Sequence, residues 1–117
     1  MLHIILEKAV GKMKSEGYYY IDFDKTLAHH ETDWEVKRLG KPIPEMLNRV
    51  KGLIRRGENV KIFTARAINS VSKNQVKDWL VKYGLPRLEV TNVKGQDIIE
   101  IWDDRAKAVM PNKGKFK

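Results

Sequence analysis

The sequence predicts an α/β fold, a Rossmann-like parallel sheet of about four strands flanked by helices. Three observations predict it. Short apolar runs alternate along the chain with stretches of helical periodicity, the pattern of strands joined by helical crossovers. The first run, through Ile21, leads straight into two aspartates, Asp22 and Asp24, as a buried parallel strand ending in polar residues would. Polar clusters also end two later runs, Thr64-Ala65-Arg66 and Asp103-Asp104. Open parallel sheets place their ligands at such strand ends.

Leu2, Ile5, Leu6, Ala9, Val10 and Met13 recur at helical spacing and Gly17 follows, so a helix is expected over residues 2–16. The first strand is expected over 18–23. The polar stretch 28–41, with Trp34, Val36 and Leu39 roughly alternating, reads as a loop or hairpin flap. Pro42 and Pro44 introduce a helix whose inner face carries Met46, Leu47, Val50, Leu53 and Ile54, with Gly57 at its end. A strand follows over 60–63. The next helix is expected over 70–83, with Val71, Val76, Trp79, Leu80 and Tyr83 inward and Gly84 as its cap. Ser72 and Gln75 have capping-box spacing, which would start that helix a turn later. Strands are expected over 88–91 and 98–102, then a turn or short helix near 106–110 and a frayed tail.

A length of 117 residues implies one domain with a small core. No apolar run reaches the length of a membrane span, and Glu7 and Lys8 interrupt the first apolar stretch, unlike a signal peptide. The chain has no cysteine, which excludes disulfides, thiolate metal sites and cysteine nucleophiles, and fits a cytoplasmic location. Its 23 Lys and Arg against 15 Asp and Glu give a net charge of +8. That excess favours phosphorylated or polyanionic partners. The charge is spread out rather than gathered into one basic block with interleaved aromatics, as on an ordinary solvated surface.

Two carboxylates flanking one residue at a strand end suit phosphoryl transfer. One can attack phosphorus and form an aspartyl-phosphate. The other can protonate the leaving oxygen and then activate water. Carboxylates beside a phosphate dianion repel, so a Mg²⁺ ion is expected among them. Taken alone, the same pair also fits an acidic turn with no chemistry.

From about residue 18 to 106, the chain resembles the haloacid dehalogenase superfamily of phosphohydrolases. Asp22-Phe23-Asp24-Lys25-Thr26 is similar to its first motif, although Lys25 stands where glycine is frequent. Ile62-Phe63-Thr64 is similar to the second, Lys94 to the third and Asp103-Asp104 to the fourth. The resemblance implies Asp22 as nucleophile and Mg²⁺ ligand. It implies Asp24 as general acid and base, with its backbone carbonyl on the metal. Thr64 and the Ala65 amide would hold phosphoryl oxygens, and Lys94 would neutralise charge on Asp22. Asp104 would be a direct metal ligand and Asp103 an orienting group, or the reverse. Arg66 would meet the substrate.

Neither gap between motifs has room for a cap domain, so the resemblance implies an open site. Capless relatives act on large substrates or gain a lid by forming homo-oligomers. The expected activity is a Mg²⁺-dependent phosphomonoester hydrolase, with a polynucleotide 3′-phosphatase as the alternative substrate reading. A non-catalytic binding or regulatory module on the same scaffold is the alternative from another class. His29 and His30 are expected in a solvated loop, and Trp102 in core packing.

Overall fold

The computed structural model of the chain describes residues 17–30 and 38–117. The expected helix over 2–16 and the middle of the flap lie outside the described residues. In chain order the elements are β1 (Tyr18–Asp22), α1 (Pro44–Arg55), β2 (Asn59–Phe63), α2 (Ser70–Lys82), β3 (Glu89–Thr91) and β4 (Ile98–Trp102). All strand pairs are parallel, in the order β3-β2-β1-β4, which is the predicted α/β sheet.

That order follows from the residues. Successive side chains of a strand face opposite ways. Ile21 and Phe23 from β1 and the residue after it, Val60 and Ile62 from β2, and Val90 from β3 fall on one face. Val50 and Leu53 of α1 and Val76, Trp79 and Leu80 of α2 close over them in a single core. The chain steps from β1 to β2 to β3 in one direction, and right-handed crossovers then place both helices on the same side. Phe23 and Trp79 meet edge to face with ring centroids 4.8 Å apart, joining β1 to α2.

Both helices stop for the same reason. Gly57 and Gly84 have φ of +83° and +88°, a left-handed conformation that costs glycine little. The Glu58 N–H donates to the Leu53 carbonyl and the Leu85 N–H to the Leu80 carbonyl, closing a Schellman turn after each helix. At the start of α2, Asn69 Oδ1 accepts from the Ser72 N–H at 2.8 Å. The helix therefore begins at Ser70, not a turn later. Val71, five residues before Val76, falls away from the face that buries Val76 and Leu80, and it is 66% exposed rather than buried.

The flap is tied at both described ends. His29 N–H donates to the Lys41 carbonyl, Ala28 bridges Pro42, and Trp79 Nε1 donates to the Gly40 carbonyl at 2.7 Å. Beyond β4, no helix forms near 106–110. Val109 pairs with Phe116 in a small hairpin, which Asn112 and Gly114 turn at positive φ, so the expected frayed tail is folded back. Among the described residues, no helix is long and apolar enough to cross a membrane.

Candidate active site

The strand order places β1 between β2, which follows it, and β4, which the chain reaches by crossing back. A crevice forms beyond the carboxyl ends of strands where the winding reverses in this way. Asp22 is the last residue of β1, Thr64 directly follows β2, and Asp103 and Asp104 follow β4. All four line one cavity of about 290 Å³, together with Asp24 and Ala65.

The turn after β1 sets the Asp22 and Asp24 carboxylates apart. The Phe23 carbonyl accepts from the Leu27 and Ala28 N–H groups, both at 2.9 Å, and Lys25 takes φ +70°. This folds Thr26 back under Asp22. Thr26 Oγ1 lies 2.9 Å from Asp22 Oδ2 and 3.0 Å from Asp104 Oδ1, and it accepts from the Asp104 N–H at 3.1 Å. A hydroxyl has one proton, so it satisfies only one of the two carboxylates at a time. Thr26 is buried and bridges β1 to β4; its sequence position two residues past Asp24 gave no sign of the second contact.

One carboxylate oxygen from each of Asp22, Asp103 and Asp104 lies within 4.8 Å of the others. Burial pushes the Asp22 carboxyl up to about 7, against the lowering effect of the Thr26 hydroxyl, and the Asp103 and Asp104 carboxylates add to the rise. Three converging carboxylates of this kind offer hard oxygen donors and call for positive charge. Asp103 Oδ1 also accepts from the Arg105 N–H at 2.8 Å, which fixes its rotamer.

Asp24 has a different neighbourhood. The Arg66 guanidinium grips its carboxylate with two bonds, Nε to Oδ2 at 2.7 Å and Nη2 to Oδ1 at 3.0 Å. His30 Nδ1 lies 3.7 Å from Oδ1. His30 thus stands beside the acid while His29 is exposed in the loop. Arg66 was expected to meet the substrate; here its fork holds Asp24. The two residues are 42 apart in sequence, and no local spacing signals the pair.

Thr64 is buried, and its Oγ1 accepts from the Arg66 N–H at 3.1 Å, so the turn after β2 is locked by its own side chain. The exposed Ala65 sits beside it on the cavity wall. Lys94 is placed otherwise. It lies on the exposed segment between β3 and β4 and does not line the cavity with the acids. In that segment the Gly95 N–H donates to the Tyr20 hydroxyl at 2.9 Å. Trp102 packs half-buried against the core, edge-on to Tyr19 at 5.8 Å.

No protein-family model and no curated protein matches the chain. Among solved structures, it is similar to a conserved protein coded by a locus of Bacteroides thetaiotaomicron. That match has a TM-score of 0.61 and 18% identity, over 77% of each chain. At that identity the likeness shows the α/β fold.

Proposed function

We propose that the chain is a Mg²⁺-dependent phosphomonoester hydrolase of the haloacid dehalogenase type. The observation that carries this reading is the shared cavity in which Asp22 and Asp24, two residues apart, have opposite surroundings. Asp22 sits among carboxylates that call for a cation; Asp24 is oriented by a guanidinium. Pairs of acids in contrasting environments are how one site runs both nucleophilic and proton-transfer chemistry.

In this reading an Asp22 carboxylate oxygen attacks phosphorus, and the bond from phosphorus to the leaving oxygen breaks. Asp24, as the acid, gives that oxygen its proton. Water then attacks the phospho-aspartate and loses a proton to Asp24. Inorganic phosphate departs, and both carboxyl groups return to their starting states. Thr64 and the Ala65 amide would hold phosphoryl oxygens. Asp22, Asp103 and Asp104 would hold Mg²⁺, with the Asp24 backbone carbonyl. The ion would supply charge neutralisation at the phosphoryl group. Lys94, on the exposed segment between β3 and β4, would neutralise charge on Asp22.

A second observation favours a nucleic-acid end as the substrate, the polynucleotide 3′-phosphatase among them. A groove of about 510 Å³ along α1 is lined by Arg49, Arg55, Arg56 and Trp102, with Glu45 beside Arg49. Arginines with an aromatic suit a nucleic-acid strand.

Phosphate release should be measured from an aryl phosphate, mononucleotides, sugar phosphates and oligonucleotides with 3′ or 5′ phosphates. Release is expected to need Mg²⁺ and to fall by about a thousandfold or more in Asp22→Asn. Release that persists in that variant would overturn the reading. Silence across the panel from folded protein would favour a binding role.

A further inference from the structure

A second cavity, also about 290 Å³, opens beside the acidic one. Asp24, His30 and Ala65 line both and so form the partition between them. The far side is built from Arg66, Ile68, Ser72 and Gln75, the last two a turn apart on α2.

The partition decides what this cavity meets. An acid that protonates a leaving oxygen must lie within hydrogen-bond reach of it. With phosphorus at Asp22, the leaving oxygen sits at Asp24, and the group attached to that oxygen extends across the partition. The lining on the far side therefore selects the leaving group.

That lining is mixed. Ile68 is 75% exposed and offers a bare apolar face. The Gln75 amide carries a donor and an acceptor side by side, the arrangement that pairs with the edge of a nucleobase. Ser72 adds a hydroxyl, and its backbone N–H is already committed to the Asn69 cap. The planar Arg66 guanidinium has its charge matched by Asp24. Arg66 is the one permanently charged cation among the described lining residues. The volume is at the low end for a ligand pocket and suits one ring system.

We propose that this cavity receives the leaving group and that the leaving group is a nucleoside, either of a free mononucleotide or of the terminal residue of a strand. The proposal rests on the phosphatase reading and deepens it.

The test compares kcat/KM for 3′- and 5′-nucleoside monophosphates, a 3′-phosphorylated oligonucleotide, glycerol phosphate and an aryl phosphate. It is run in the wild type, Gln75→Leu and Ile68→Ala. Nucleoside phosphates are expected to exceed glycerol phosphate by at least about tenfold. Gln75→Leu should cut that preference about fivefold, mainly through KM. The oligonucleotide against the mononucleotides identifies the source of the nucleoside. Equal kcat/KM for glycerol phosphate and nucleotides, or a preference unchanged in both variants, would overturn the proposal. Separately, Asp22→Asn is titrated with the four free nucleosides while the Ile68 methyl and Gln75 amide signals are followed by NMR. Nucleoside binding at those signals without turnover of any phosphomonoester would uphold the cavity and sink the phosphatase reading. Turnover with no nucleoside preference would do the reverse.

Discussion

Asp22 and Asp24 are separated by one phenylalanine, yet the two sides of the site that they define differ in kind. On the Asp22 side, negative charge is in excess: three carboxylates converge, and two of them share one threonine hydroxyl. On the Asp24 side, charge is balanced by a two-point arginine fork, and the surroundings turn apolar toward Ile68. The difference shows how a tight turn can give carboxylates two residues apart separate electrostatic surroundings. The first side gathers carboxylates with no cationic side chain among them; the second carries its own cation in Arg66.

Removing the arginine should erase this contrast and have the largest effect. Arg66→Ala leaves the Asp24 carboxylate without its fork. Phosphate release is expected to fall about a hundredfold, and unfolding free energy by about 2 kcal/mol. Arg66→Lys should recover only part of either, because an ammonium cannot make the paired bonds. Steady-state kinetics and urea denaturation check both; full activity in Arg66→Lys would show that charge alone matters on this side.

The other side is sharpened by pH. The folded-state Asp22 carboxyl is raised from 3.8 to about 7. Between those values the folded protein holds a proton that the unfolded chain has lost, so metal-free stability from this group falls as pH rises through that window. A cation competing for the same oxygens should stabilise more once the proton is gone. The rise in melting temperature on adding Mg²⁺ is expected to be clearly larger at pH 8 than at pH 5.5. An equal rise at both would remove Asp22 from the set of ligands.

The smallest effect is expected at the residue just beyond the pair. Lys25 is non-glycine at φ +70°. Lys25→Gly should be neutral or gain less than about 1 kcal/mol, since relief of strain is offset by a freer unfolded chain. Lys25→Val should lose about 1–2 kcal/mol. Melting curves of the two variants rank them.

The sequence made the skeleton of this site legible and hid its wiring. Strand positions could be read because short apolar runs end in polar residues. Gly57 and Gly84 marked both helix ends because only a left-handed residue closes those turns cheaply. The start of α2 was less clear, since Asn69, Ser72 and Gln75 all have capping chemistry and only backbone geometry decides among them. The Arg66–Asp24 fork and the Thr26–Asp104 contact depend on strands brought together across 42 and 78 positions, and no local pattern encodes sheet order or register. Lys94 stands in the expected order along the chain, but it is exposed and not among the residues lining the cavity. The C-terminal hairpin was missed because a Lys- and Gly-rich composition reads as solvated chain, although Asn112 and Gly114 have the conformations that a turn needs.

Among the described residues, β4 lies at one edge of the sheet and pairs with β1 alone, with a register irregularity near its start and exposed Ile99 and Ile101 along it. Edge strands of this kind are the first to open. Asp103 and Asp104 hang from its end, and Thr26 clasps Asp104 back to the neighbouring turn. Any molecule or ion bridging Asp22 to Asp103 and Asp104 therefore also latches the seam between β4 and β1. Occupancy of the site and amide-exchange protection of that edge are two views of one equilibrium.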